Sequence, residues 1–203
     1  MVNMPKKQAL FWLKISGLVM IAAAVFLYFY ASEKKIEFPP ELLEAKTASS
    51  VIAEEITGLS SEAAANLEAI SREDKAGNYY EAVDLVITEI KRNNEIREKC
   101  VGLLSELQKM IAGLGEVNSV QAQAAGLQAV SAEMTLVNQL MSYNDGLQTL
   151  LEHLRLKFLS SSPKDFNAGT ASILEEVNAQ VEQINSQNRR AQTLIREFNK
   201  YFQ

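Results

Sequence analysis

One histidine, one cysteine and two pairs of adjacent glutamates are the side chains of this sequence with the types for acid–base, nucleophilic or metal chemistry. The histidine, His153, sits near the end of a leucine-rich stretch. The helical di-metal pattern requires a glutamate three residues before such a histidine, and Leu150 occupies that place. His153 therefore reads as a surface or boundary residue. Cys100 falls on an apolar stripe with Ile96 and Leu103, which makes it a packing residue rather than a nucleophile. As the one cysteine it cannot form an intramolecular disulfide. The pairs Glu54–Glu55 and Glu175–Glu176 are helix neighbours, so they point about 100° apart and cannot face each other as an acid–base couple. Gly113 and Gly115 lack the lysine–serine signature of a phosphate loop. The sequence thus assigns no catalytic, cofactor-binding or metal residue, and the chain reads as a non-enzyme.

The elements that hold these residues are helical. Four prolines, grouped as Pro5, Pro39–Pro40 and Pro163, leave long stretches free of helix breakers in a chain of 203 residues. Residues 1–9 form a short tail. Residues 10–31 (LFWLKISGLVMIAAAVFLYFYA) contain seventeen uncharged residues after Lys14, close to the roughly 20 that cross a bilayer. Phe11 and Trp12 at one end and Tyr28 and Tyr30 at the other occupy the places of interfacial aromatic belts. This predicts an uncleaved single-pass transmembrane helix. A cleaved signal peptide is the competing reading, with Phe29 too bulky for its cleavage site. Lys6, Lys7 and Lys14 before the span orient the N-terminus inside and the rest extracytoplasmic. Residues 1–31 carry three lysines and no acid, which leaves 17 basic and 25 acidic residues beyond them, a formal −8. Such an acidic domain, with Lys91, Arg92, Arg97 and Lys99 interleaved among acids, is a poor nucleic-acid binder.

After a linker (32–40), residues 41–203 predict four amphipathic helices. The first carries a heptad-like seam of Leu42, Ala45, Ser49, Ile52, Ile56, Leu59, Ala63, Asn66 and Ile70, ending at SREDKAGN. The second, from Tyr79 to about Ile111, has an inner face of Tyr80, Val83, Ile87 and Ile90. That face passes over Asn93 and Asn94 and resumes at Ile96, Cys100, Leu103, Leu107, Met110 and Leu114. The third spans about Ser119 to Leu159. It is alanine- and glutamine-rich at first, then filled by Leu140, Leu147, Leu151, Leu154 and Phe158. Ser162, Pro163 and Asp165 form a start signal for the fourth. Its repeat runs Thr170, Ile173, Val177, Gln180, Ile184, Gln187, Ala191, Leu194, Phe198, Tyr201. Gln180 and Gln187 at seam positions either fix register as buried amides or lie just off the seam in water. The fold class is all-α: a transmembrane helix followed by an elongated antiparallel four-helix bundle with coiled-coil character. An open array of hairpins completed by oligomerisation is the alternative.

AGNYYEAVDLV (76–86) resembles the second helix of a tetratricopeptide repeat in Gly77, Tyr79 and Ala82. Glu89, Asn94 and Ile70 depart from that pattern and no copy recurs about 34 residues later, so the segment reads as an ordinary helix start. In layout the chain is similar to LemA-type proteins and to the bundle of bacterial chemoreceptors, without a motif that carries either likeness. The expected function is that of a membrane-anchored, non-enzymatic interaction or scaffold protein whose bundle meets a protein partner or a second copy of itself. A ligand-sensing bundle coupled to a partner is the alternative. The stripe Ile173, Val177, Ile184, Leu194 and Phe198 is a candidate partner surface, set against the simpler reading that it fills the bundle's own core.

Overall fold

A computed structural model of the chain describes residues 39–202; the expected span at 10–31 lies outside the described residues. Within them the chain is four long helices with no strand: α1 (Pro40–Ala76), α2 (Tyr79–Leu114), α3 (Val120–Leu159) and α4 (Asn167–Asn199). A 3₁₀ turn, Pro163–Phe166, precedes α4. The all-α four-helix reading agrees with this. Helices of 33 to 40 residues are about 50–60 Å long at about 1.5 Å per residue, so the bundle is a rod.

Each boundary has a local cause. Pro40 opens α1 at the first helical position, where its missing N–H is not needed. The expected break at SREDKAGN is narrower than the sequence suggests, because α1 runs on to Ala76. It stops at Gly77, whose φ of 78° is left-handed, with its own and Asn78's N–H closing on the carbonyls of Asp74 and Glu73. Ser119 caps α3, its hydroxyl accepting from Ala122 N–H at 3.2 Å. Gln123 then reaches back to donate to the carbonyls of Val117 and Gly115 and so pins the α2–α3 turn. The start signal at Ser162–Asp165 produces the 3₁₀ turn, and α4 proper begins at Asn167.

Consecutive helices run antiparallel. Leu42 of α1 packs on Gly113 of α2, while Asn66 of α1 donates to the carbonyl of Leu85 at the other end. Asn93 of α2 donates to the carbonyl of Asn144 in α3, and Gln187 of α4 to that of Ala132. The three consecutive pairs pack along their lengths, whereas the first and last helices do not pack extensively on each other. Glycines allow the closest approaches. A Cβ on Gly126 would lie 2.5 Å from Leu114 and 2.8 Å from Phe198, and one on Gly146 would lie 2.7 Å from Gln180. Two apolar clusters fill the interior, one built on Leu42, Leu103, Leu107 and Ile195, the other on Leu67, Ile70, Leu150 and Leu151. Each fully buried leucine or isoleucine contributes about 1.5–3 kcal/mol.

The second half of α2 and the core of α4 follow the expected seams, but the first half of α2 does not. Tyr80 is 89% exposed and Ile87 is exposed, while Ala82, Val86, Glu89 and Asn93 are buried. The true seam of α2 alternates fours and threes without interruption: Ala82, Val86, Glu89, Asn93, Ile96, Cys100, Leu103, Leu107, Met110, Leu114. A carboxylate and an amide in core positions shifted the apparent phase. In α1, Ala53 and Leu67 are buried where Ile52 and Asn66 are half-buried. In α4 the innermost line is Val177, Val181, Ile184, Asn188, Ala191, Ile195 and Phe198, with Tyr201 exposed.

Candidate functional site

The residues with chemical potential are spread over the rod. Cys100 is fully buried, and burial pushes its thiol up to about 12, so it stays a thiol. His153, half-buried, meets the carbonyl of Phe166 through Nε2 at 3.1 Å and the Phe166 ring edge-on at 5.3 Å. A Cβ on Gly169 would come within 2.8 Å of its ring. His153 thus fastens the end of α3 to the turn that starts α4. Glu54, Glu55, Glu175 and Glu176 are all exposed, Glu55 pairing with Lys99 at 2.7 Å. Among the described residues no group of three His, Cys, Asp or Glu side chains is arranged to hold a metal ion.

Two buried carboxylates, neither singled out by the sequence, are the unusual interior groups. Glu89 of α2 is completely buried. Its Oε2 accepts from Asn66 Nδ2 of α1 at 2.9 Å and from Arg92 one turn on, and Arg92 in turn reaches Glu62 of α1 at 3.3 Å. Burial raises its pKa, against the opposing pull of Asn66 and Arg92. One turn below, Asn93 Nδ2 donates to the carbonyl of Asn144 at 2.8 Å and to Gln148 Oε1 at 3.3 Å. A polar band therefore crosses α1, α2 and α3. Glu133 of α3 is the second carboxylate, 3% exposed, its pKa raised to about 8 by burial and held back by the charge of Lys46 on α1. Lys46 is itself lowered by burial, with Glu133 opposing. The signal for both carboxylates was their place on the fours-and-threes seams, Glu89 between Val86 and Asn93 and Glu133 between Ala129 and Leu136.

Along the middle of the rod lies a cavity of about 60 Å³ between α1, α3 and α4, with α2 as its floor. Its lining is mostly apolar, with Thr57, Ser60, Tyr143 and Asn144 as the residues that carry polar side-chain atoms. The two seam glutamines do not line it: Gln187 and Gln180 are both half-buried, Gln187 donating to the Ala132 carbonyl at 3.0 Å and Gln180 lying against Gly146. Of the stripe proposed as a partner surface, Val177, Ile184 and Phe198 are buried within the bundle, and Ile173 and Leu194 pack against its core.

Large apolar side chains remain exposed at both ends of the rod: Leu43, Val120 and Tyr201 where the first and third helices begin and the last one ends, and Tyr80, Leu156 and Leu159 at the end marked by Gly77. Tyr79 stacks on Phe158 at 5.8 Å, joining the start of α2 to the end of α3. Beside that pair Tyr80, Leu156 and Leu159 are 89%, 53% and 64% exposed. Among the described residues no helix is long and apolar enough to cross a membrane. No family model, curated protein or solved structure matches this chain.

Proposed function

We propose that this chain is a membrane-tethered, non-enzymatic interaction protein, held by residues 10–31 and presenting the bundle to a protein partner or a second copy through the end that carries Tyr80, Leu156 and Leu159. The observation that supports this most is the geometry of that end. α1 starts at Pro40, next to the proposed anchor, and runs about 55 Å before it turns at Gly77. The apolar tip is therefore as far from the anchor as the rod allows. Tyr80, the most exposed large apolar side chain of the described residues, stands there with Leu156 and Leu159 as an apolar contact surface free to meet a partner, whereas the exposed Leu43, Val120 and Tyr201 lie at the anchored end. The acidic character of the domain keeps the rod off an anionic bilayer surface. In this reading the bundle is extracytoplasmic and the N-terminal tail cytoplasmic.

The test is a photo-crosslinking residue placed in the full-length chain at position 80, at 159, or at Glu54 on the side of the rod. Crosslinks to one defined species, a partner or a second copy, are expected at 80 and 159 and not at 54. Equal yields at all three positions would exclude the tip as the contact surface. Extraction of membranes at alkaline pH tests the anchor: the full chain is expected to stay with the bilayer and a chain lacking residues 10–31 to be released.

A second reading, a ligand-sensing bundle, is supported by the mid-rod cavity.

A further inference from the structure

We propose that the mid-rod cavity is a binding site for a small, uncharged, mostly apolar molecule that carries one hydrogen-bond acceptor, with the side-chain amide of Asn144 as its donor. The site depends on neither the anchor nor the tip, so it stands or falls separately from the tethered-rod reading.

The cavity exists because α1 is thin where it faces α3. Ala53, Ser60 and Ala63 of α1 lie opposite Leu140, Tyr143 and Asn144 of α3. The first and last helices do not close tightly on each other, so no larger side chain from α4 fills the gap; Ile184 alone reaches it. Close packing is the norm in bundle interiors, and a void that persists there forfeits contacts on all its walls. At about 10–15 Å³ per water-sized group, the cavity has room for about four to six heavy atoms.

The chemistry of the walls selects the occupant. No charged side chain lines the cavity, so an ion would lose its hydration without compensation. Most of the wall is apolar, so an occupant that fills it buries a hydrocarbon surface, and the polar side chains of Thr57, Ser60, Tyr143 and Asn144 meet only part of it. Asn144 supplies the one buried, unpartnered side-chain donor of the lining. It is 2% exposed, and its backbone carbonyl is taken by Asn93, yet its Nδ2 has no hydrogen-bond partner among the described residues. Leaving a buried amide N–H unpaired is costly, and an acceptor on a bound molecule removes that cost. Asn93 holds the backbone carbonyl of Asn144, and Gln148 holds Asn93, so the turn of α3 that carries the donor is fixed against α2. A ketone, ether or alcohol oxygen on a short hydrocarbon frame matches both features.

Butan-2-one and 2-methylbutane make a matched pair of probes, having the same branched five-atom skeleton with and without the oxygen. Methyl-selective NMR of the full-length chain in micelles reads the binding. Saturable shifts are expected at the Leu140, Leu136 and Ile184 methyls, with those of Leu42 at the far end unmoved. Contacts from bound butan-2-one to the Asn144 side-chain amide protons are expected by nuclear Overhauser effect. Asn144→Leu, an apolar residue on a helix seam, is expected to weaken butan-2-one about fivefold, the worth of one hydrogen bond, and to leave 2-methylbutane no weaker. Uptake of each probe by the micelle cancels in that comparison. Ser60→Leu fills the cavity from α1 and is expected to abolish both. Absence of saturable shifts or of the amide contacts overturns the site. So does binding that persists in Ser60→Leu, and butan-2-one binding indifferent to Asn144→Leu overturns the ligand class.

Discussion

Lys157 Nζ lies 2.7 Å from Asp74 Oδ2, joining α3 to α1 across the diagonal of the bundle. The lysine side chain is only 9% exposed and its ammonium also sits 5.6 Å from the centre of the Phe158 ring. Asp74 is the residue whose carbonyl accepts from Gly77, so the pair ties the end of α1 and its turn to the tip of the rod.

Removing Asp74's charge leaves an almost buried ammonium without its partner, and that is worse than removing the lysine. Asp74→Asn is expected to cost about 1–3 kcal/mol, Lys157→Met less, and the double variant to recover part of the loss. For a domain of this size each kcal/mol moves the melting temperature by about 2–4 °C, which thermal denaturation followed by circular dichroism resolves. A larger loss for Lys157→Met than for Asp74→Asn would mean that the lysine acts through its methylenes and not its charge.

Glu89 presents the converse case, because both of its partners have second attachments. Arg92 keeps Glu62, and Asn66 keeps the Leu85 carbonyl. Glu89→Leu, an apolar side chain of similar volume at a seam position, is therefore expected to lie within about 1 kcal/mol of wild type. Glu89→Ala opens a cavity and is expected to lose about 2–4 kcal/mol. Denaturant melts of the two variants, compared at constant m-value, test this.

Glu133 gives the bundle a pH dependence of definite sign. Its folded pKa, about 8, exceeds that of an unfolded glutamate. The folded state then holds a proton that the unfolded state has released over the window from about 4.5 to 8. The unfolded chain binds fewer protons there, so stability falls as pH rises and the loss is complete above the folded pKa. Glu89 is shifted in the same direction. Glu133→Gln is expected to be more stable than wild type by on the order of 3 kcal/mol at pH 8, with the gap closing toward pH 5. Parallel melts at the two pH values decide it; a constant difference between variant and wild type would show that Glu133 does not titrate in this window.

The turn between α3 and α4 rests on His153. His153→Ala removes the contact to the Phe166 carbonyl and the ring packing on Gly169, at an expected cost of about 1 kcal/mol. Hydrogen exchange should quicken for the amides of residues 166–170 well before those at the middle of the rod.

The helices and their approximate ends were legible because they depend on local chemistry: Pro40, Gly77, Ser119 and Pro163 each act within a turn of their own position. The seam of α4 was legible to within its neighbours, since Val177, Ile184, Ala191 and Phe198 repeat cleanly. The first half of α2 was not. Tyr80, Val83, Ile87 and Ile90 form a better apolar stripe than Ala82, Val86, Glu89 and Asn93, and only Asn66, Arg92 and Asn144 on three helices make Glu89 and Asn93 acceptable inside. The cavity was invisible for a related reason. It arises where small residues of α1 meet α3 without compensation from α4, a property of the assembled helices and of no single stretch. Glu133 was passed over because the alanines around it weaken its own seam.

Four antiparallel helices place both ends of the described bundle, Pro40 and Asn199, on the same side of the rod. A tensile load applied between those ends does not shear the helices along their lengths. It pries them apart from that side, one turn at a time, lifting α1 from α2 and α4 from α3, the two terminal helices that each pack extensively on a single neighbouring helix. Unzipping of this kind proceeds at low force, and the last contact to break as α1 peels away is the Asp74–Lys157 pair at the opposite tip.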